Sequence, residues 1–131
     1  YVIVNKRKDD KFQIFSPDFE THSIAEKINN LSLKKGTELP VSIIKFLNYK
    51  KGMNLILSSD VPPRSGLGSS SSLAVNLINV ISYLKGSKIT KSEIADSSHH
   101  VARNILNWPL GKQDEYIASF GGFKKIEFKK K

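Results

Sequence analysis

The chain of 131 residues contains no cysteine. A disulfide framework and a thiolate metal site are therefore both excluded, and the composition fits a reducing compartment, so we expect a cytoplasmic location. The sequence also has no apolar run close to the length of a membrane span and no N-terminal signal segment, so we expect no membrane partner. What is present is 39% hydrophobic and 25% charged residues, which is ordinary for a globular domain.

Arginine is scarce, whereas lysine is abundant. The formal net charge is +9, yet the arginines are only Arg7, Arg64 and Arg103. The lysines are scattered, apart from those at 124–125 and 129–131. Recognition of nucleic acid favours arginine, so we interpret the lysines as solvated surface residues. An RNA-binding module remains a less favoured hypothesis, after the two that are described below. A positive field also suits a small substrate that carries phosphate.

The spacing of apolar residues predicts strands and helices in a single α+β domain. Residues 2–4 and 12–15 are rich in β-forming residues and flank a polar turn, which predicts a hairpin. Residues 53–59 alternate like a strand, and residues 123–128 are predicted to form a closing strand.

Helices are predicted from start and stop signals. One follows Pro40 and ends at Gly52, and another starts at Thr90, has Glu93 in a capping box and stops at Pro109. Another short helix is predicted to start at residues 116–118. Between residues 73 and 84 a helix that ends at Gly86 carries the apolar stripe Leu73, Ala74, Leu77, Ile78, Ile81 and Leu84.

The most informative segment is residues 60–72, Asp-Val-Pro-Pro-Arg-Ser-Gly-Leu-Gly-Ser-Ser-Ser-Ser. Gly66 and Gly68 allow positive φ angles, and the free N–H groups of the helical turn that follows favour an anion, above all a phosphate. The segment lacks the Gly-Lys-Ser/Thr of a Walker A loop and the third glycine of the dinucleotide fingerprint. By composition alone, an ordinary serine N-cap without a ligand is the alternative.

Residues 62–71 resemble the central nucleotide-binding motif of the GHMP kinases, the family of galactokinase, homoserine kinase, mevalonate kinase and phosphomevalonate kinase. A second stretch, Gly-Lys-Gln-Asp-Glu-Tyr at 111–116 and Ala-Ser-Phe-Gly-Gly-Phe at 118–123, resembles a segment of the sugar kinases in that family. The resemblance extends over nearly the whole chain. It is closest to the D-glycero-D-manno-heptose 7-phosphate kinase group, which phosphorylates an anomeric hydroxyl.

The resemblance implies a fold, cofactors and a substrate class. The fold would be a ribosomal protein S5 domain 2-like N-terminal domain, a mixed sheet packed against helices. Residues 1–131 would be part of the ATP-binding domain, with an upstream substrate-binding segment and a C-terminal domain absent, and this fragment alone would be inactive. The whole protein would use ATP and Mg²⁺ to phosphorylate a sugar phosphate. A lone domain would expose apolar surface, so we expect either self-association into a homo-oligomer or poor solubility.

The resemblance also assigns roles to residues. Ser70 would hold Mg²⁺, with Ser69 as the competing ligand, and Asp114 would accept or orient the proton of the acceptor hydroxyl. Lys112 would support Asp114 or contact the sugar phosphate. From residue type alone, Asp114 could instead be a helix N-cap and Lys112 a surface cation. The residues expected to bind the nucleotide are Pro63, Ser65, Gly66, Leu67, Gly68, Ser69, Ser70 and Ser71.

Ala102 departs from the family pattern. Many members carry at this place a glutamate that helps to hold Mg²⁺, and alanine cannot ligate a metal. Mg²⁺ can still be held by phosphates, one protein ligand and waters. Activity is therefore weakened rather than excluded, and a catalytically degenerate nucleotide-binding domain is the second hypothesis. His99 and His100 lack further ligands at metal-site spacing, so we interpret them as structural or surface residues.

Overall fold

The computed structural model describes residues 1–62 and 65–129, so Pro63, predicted above to bind nucleotide, lies outside the described residues. The strands are β1 (Val2–Lys6), β2 (Phe12–Ser16), β3 (Thr21–Ala25) and β4 (Met53–Leu57). The helices are α1 (Glu38–Phe46), α2 (Ser69–Lys85), α3 (Lys91–His100), its continuation as a π-helical turn (Val101–Ile105), and α4 (Gln113–Phe120). Short 3₁₀ turns lie at Pro17–Phe19 and Ile28–Asn30.

The four strands form one mixed sheet in the order β1-β4-β2-β3. β4 is antiparallel to β1 and parallel to β2, and β2 is antiparallel to β3. A parallel pair needs a long crossover, and here the crossover is made by the chain that contains α1. The predicted α+β class with a mixed sheet packed against helices is confirmed.

The predicted hairpin between the first two strands is wrong, because β4 lies between them. The alternating pattern identified both strands correctly, but alternation does not specify the partner strand. Gly52 lets β4 start beneath the turn between β1 and β2, because a Cβ atom there would clash with the backbone oxygen of Asp9. The turn between β1 and β2 wraps over this glycine, and the backbone bonds Arg7 N to Gly52 O (3.0 Å) and Met53 N to Lys11 O (3.0 Å) lead β4 in between.

The hydrophobic core lies between one face of the sheet and the helices. Alternate residues of β2 and β4 point inward, as expected for a strand with one buried face. They meet α1 and the predicted stripe of α2, of which Leu73 and Leu84 are partly buried. The fully buried members of this core include Phe12, Ile14, Val41, Ile43, Ile44, Met53, Leu55, Leu77, Ile78 and Ile81.

The opposite face of the sheet carries an exposed apolar row. Ile3 pairs with Ile56 and Ile56 with Phe15 in neighbouring strands, and these side chains are between 36% and 45% exposed. Apolar surface of this kind is compatible with the expected self-association, which stays a prediction.

Helix boundaries follow the local signals in the sequence. α2 ends at Gly86, whose φ of 73° is the left-handed C-cap conformation, as predicted. The predicted capping box of α3 is present: Glu93 N donates to Thr90 Oγ1 (3.2 Å) and Thr90 N donates to Glu93 Oε2 (2.8 Å). These bonds from Thr90, first of all the one from its backbone N–H, lower the pKa of Glu93. The first helix starts at Glu38 and ends at Phe46, earlier at both ends than predicted.

The predicted closing strand at residues 123–128 is wrong, since this described segment forms no strand. It has the composition of a strand, but it is not paired with any of the four strands of the described sheet. Phe123 is fully exposed, and the ring of Phe128 instead meets Tyr116 of α4 edge-on at 6.0 Å between centroids. Within residues 1–62 and 65–129, no helix has both the length and the apolar character needed to cross a membrane.

Candidate active site

The glycine-rich loop leads directly into α2. Gly66 and Gly68 have φ angles of 77° and 68°, a conformation that glycine adopts without strain. Gly68 is the N-cap of α2, and no described side chain caps this helix end. The first helical bond recorded runs from Ser72 N to Gly68 O at 2.9 Å, so the N–H groups of residues 69–71 lack an intrahelical acceptor. The serine N-cap considered above is therefore not formed, and this end of α2 is open to an anion.

Asp114 lies against this loop. A Cβ atom on Gly68 would be 3.3 Å from Asp114 Oδ2 and 3.4 Å from its carboxyl carbon. Asp114 is in the first turn of α4, whose N-cap is Lys112, so Asp114 is not the N-cap of its helix. Folding thus brings together the glycine loop and the predicted catalytic carboxylate, which are far apart in sequence.

Lys112 is held by a different carboxylate. Its Nζ lies 3.5 Å from Asp96 Oδ1 of α3, with both side chains about half exposed. The same Asp96 oxygen accepts a hydrogen bond from the hydroxyl of Tyr116 at 2.9 Å. Asp96 therefore fixes both side chains at the junction of α3 and α4, and the predicted role of Lys112 beside Asp114 or a sugar phosphate stays a prediction.

A small cavity of about 10 Å³ lies beneath the start of α2. Its lining includes Ser70 and Ser71 of α2, Ser98 of α3, Ala102 of the π-helical turn and Glu115 of α4. Glu115 is 1% exposed, and neither of its carboxylate oxygens has a hydrogen-bond partner among the described residues. Sequence reasoning missed this residue, because a charged residue next to Asp114 in a first helical turn is normally exposed.

The predicted nucleotide ligands differ in exposure. Ser65, Gly66, Leu67 and Ser70 are exposed, whereas Ser71 is 7% exposed. Ser65 supports the loop, since its hydroxyl accepts from Leu67 N at 3.4 Å. Ser70 both reaches solvent and lines the small cavity, and its predicted role as a ligand of Mg²⁺ stays a prediction.

The two adjacent histidines do not form a metal centre with other described residues. His100 Nδ1 lies 3.1 Å from the side-chain amide of Asn104, and its ring packs on Phe46. Within the described residues no three His, Asp or Glu side chains converge as a metal site would require. A wider groove of about 510 Å³ between α2, α3 and α4 is lined by residues that include Ser72 and Ser119 but neither Asp114 nor Glu115.

Similar proteins were found by sequence. The family model described as "GHMP kinases N terminal domain" matches residues 33–122. A D-glycero-alpha-D-manno-heptose 7-phosphate kinase from Campylobacter jejuni is 35% identical over 130 residues, which cover 94% of this chain and 38% of that protein. A galactokinase from Pasteurella multocida is 28% identical over 124 residues, which cover 88% of this chain and 32% of that protein.

Solved structures share the fold. A D-glycero-D-manno-heptose 1-phosphate kinase from Bacteroides thetaiotaomicron superposes with a TM-score of 0.84 at 22% identity, over 93% of this chain and 42% of the other. A galactokinase from Lactococcus lactis, in complex with galactose, gives a TM-score of 0.78 at 19% identity, over 92% of this chain and 33% of the other. The chain thus spans less than half the length of each of these four proteins. The resemblance inferred from the two motifs is confirmed, and the chain belongs to the GHMP kinase family.

Proposed function

We propose that the protein is an ATP-dependent kinase that phosphorylates a hydroxyl group of a sugar phosphate. The observation that carries this proposal is the position of Asp114 beside Gly68, where an added Cβ atom would be 3.3 Å from Asp114 Oδ2. Phosphoryl transfer depends mainly on positioning the acceptor beside the phosphates and on neutralising charge. A carboxylate at the rim of a phosphate-type loop is placed to accept the proton of an acceptor hydroxyl.

The residues of the chain would divide the work as follows. The N–H groups at the start of α2 would bind phosphate oxygens, and Asp114 would orient the acceptor hydroxyl and take its proton. Ser70 would offer its hydroxyl to Mg²⁺, with Ser69 as the competing ligand. Bound Mg²⁺ would neutralise the negative charge on the ATP phosphates.

The local charges fit a divalent cation. Asp114 and Glu115 place two carboxylates near the proposed binding site for the ATP phosphates. The ammonium group of Lys112 does not offset them, because it is paired with Asp96. Like charges at close range repel strongly where water is partly excluded. We therefore expect ATP to bind well only together with Mg²⁺.

The substrate class follows from the relatives. Because one is named a heptose 7-phosphate kinase and another a galactokinase, we propose a sugar acceptor, with D-glycero-D-manno-heptose 7-phosphate as the first to test. The net charge of +9 favours an acceptor that carries a phosphate. Since the relatives are more than twice as long, we propose that residues 1–131 form an ATP-binding part and that other segments of the protein complete the sugar site in the cytoplasm.

The test is ATP turnover by the natural full-length protein and two variants. Asp114→Asn removes the proposed base, and Asp10→Asn removes an exposed carboxylate in the turn before β2. With heptose 7-phosphate as acceptor, we expect kcat to fall about 10²- to 10⁴-fold in Asp114→Asn and to stay unchanged in Asp10→Asn. Full activity of Asp114→Asn, or no turnover by the natural protein with any sugar phosphate, would contradict the proposal.

A second candidate is a nucleotide-binding domain without catalysis. It is favoured by Ala102, which is 4% exposed and presents only a methyl group to the small cavity. Binding of an ATP analogue that is independent of Mg²⁺, together with no turnover, would support this alternative over the kinase.

A further inference from the structure

The face of the sheet that turns away from the helices, here called the outer face, has no charged strand residue. Successive side chains of a strand point to opposite faces, and one set of alternate residues is buried against the helices. The other set forms the outer face: Ile3, Asn5, Gln13, Phe15, His22, Ile24, Asn54 and Ile56. By register these residues form two rows that cross all four strands. None of them is Asp, Glu, Lys or Arg, although these types make up 25% of the chain.

The outer face is also apolar in its centre and accessible. Ile24 is 58% exposed, and Ile56, on the inner strand β4, is 36% exposed. The ring of Phe15 packs edge-on against His22 at 6.0 Å between centroids. Exposed aliphatic and aromatic side chains without charges are typical of the centre of a protein–protein interface. The outer face therefore fits a protein surface that is itself uncharged.

The two ends of the strands differ in charge. Seven lysines and arginines and three carboxylates lie at one end, in residues 6–11, 26–27 and 50–51. The opposite end, at residues 17–20 and 58–60, holds three carboxylates and neither lysine nor arginine. The outer face is therefore bordered by a basic end and an acidic end.

This distribution of charge favours a second copy of the chain as the partner. A chain with a net charge of +9 repels its own copy unless the surfaces in contact lack like charges, and the outer face meets this condition. In a two-fold dimer the same surface faces itself. A two-fold axis perpendicular to the strands sets the basic end of each copy against the acidic end of the other, whereas an axis along the strands sets basic against basic. Charge complementarity therefore favours the perpendicular axis.

We propose that the outer face is the contact surface of a homodimer, in which two sheets pack face to face and β4 of one copy runs antiparallel to β4 of the other. From the strand spacing and the rise per residue, the sheet measures roughly 15–20 Å by 17 Å. This area is smaller than that of a standard protein–protein interface. We therefore expect a dimer that dissociates at micromolar concentration. The proposal does not depend on the proposed kinase activity.

The first test is the oligomeric state of the natural full-length protein. Sedimentation velocity between about 1 and 100 μM should show a monomer that converts to a dimer as the concentration rises. Ile56→Lys puts a charge on the outer face, where the dimer brings it close to the same charge of the second copy, so this variant should stay monomeric. The matched control is Tyr83→Lys, which changes a side chain that is 79% exposed on α2, on the other side of the sheet, and should keep the dimer.

Charge reversal tests the orientation of the two copies. Lys8 at the basic end and Glu20 at the acidic end are both exposed. Lys8→Glu and Glu20→Lys should each weaken the dimer about three- to tenfold, because each reversal acts twice in a two-fold dimer. The double variant Lys8→Glu/Glu20→Lys restores opposite charges across the interface and should regain the natural affinity. If Lys8→Glu strengthens the dimer, like ends meet and the antiparallel arrangement is wrong.

The melting temperature separates contact between copies from contact within one chain. At a concentration where the natural protein is monomeric, Ile56→Lys should melt at the natural temperature. Ile3→Lys, on the edge strand β1, is a second variant with the same expected results. If both variants melt at a much lower temperature, another segment of the same chain covers the outer face and the dimer is refuted. A dimer that persists in both variants, or a natural protein that is monomeric at about 100 μM, refutes it as well.

Discussion

The carboxylate of Asp114 lies beside Gly68, on the side where a residue other than glycine would carry its side chain. An added Cβ atom would be 3.3 Å from Oδ2, 3.4 Å from Cγ and 3.6 Å from Cβ of Asp114. Two separate features favour glycine here: the φ angle of 68°, and the close approach of Asp114, which an added side chain would have to displace slightly. This proximity brings the start of α2 next to the first turn of α4.

A pair of glycine variants separates these two reasons. Gly68→Ala and Gly86→Ala both put a side chain at a positive φ, and both should lower the free energy of unfolding by about 1–2 kcal/mol. Gly86 has open space around it, whereas Gly68 has Asp114. We therefore expect Gly68→Ala to lower kcat about tenfold, because it would displace the proposed base Asp114, and we expect Gly86→Ala to leave kcat unchanged. Urea unfolding and steady-state kinetics measure both effects, and equal kcat values in the two variants would contradict a catalytic contact.

The elements of the fold were largely predictable, whereas the pairing of strands was not. The capping residues Thr90 and Gly86 and the stripe of α2 are local signals, and the structure confirms them. The strand that pairs with β1 is β4, which comes about 50 residues later in the chain. Gly52 makes this arrangement possible, because a Cβ atom there would clash with the backbone of the turn between β1 and β2. No local pattern in the sequence carries this information.

In the candidate site, too, some residues could be predicted from the sequence and others could not. The glycine loop and Asp114 could be predicted because each belongs to a motif with a specific composition. Glu115 and Asp96 could not, since each owes its place to the packing of α4 against α2 and α3. The burial of Glu115 becomes visible only when the cavity beneath Ser70 is formed.

Lys112 offers a second prediction. Its ion pair with Asp96 is about half exposed on both sides, so Lys112→Met should change the free energy of unfolding by no more than about 1 kcal/mol. If the lysine contacts the sugar phosphate, the same variant should raise the KM for that substrate about tenfold.

Asp96→Asn is the matched control, because it frees the ammonium group without removing it. We expect its KM to equal or fall below that of the natural protein. An unchanged KM in Lys112→Met would contradict a contact between Lys112 and the sugar phosphate.

The turn after β1 provides a prediction on pH. The side-chain bonds from Arg7 lower the pKa of Asp9 to about 2. In the unfolded chain an aspartate has a pKa of about 3.9, so the folded state binds this proton less readily. The stabilisation is complete above about pH 4 and is lost as the pH falls towards about 2.

The variant Asp9→Asn lacks this group. Its deficit in unfolding free energy relative to the natural protein should be constant between about pH 5 and 7 and shrink below about pH 4. Added salt should reduce the deficit, because the pair is exposed to solvent. A deficit that persists unchanged at low pH would show that the side chain acts through packing.

The capping box of α3 tests whether the stability of this helix is coupled to the site. Thr90→Ala removes the acceptor for Glu93 N and should lower the free energy of unfolding by about 1 kcal/mol, while Thr90→Ser should retain most of it. Loss of the cap affects mainly the first turn of α3, where a helix frays most. Asp96 and Ser98 lie further along the helix. We therefore expect kcat and KM to stay within about twofold of the natural values. A larger change in kcat or KM would mean that the start of α3 sets the position of Asp96 or Ser98. The cap would then contribute to function as well as to stability.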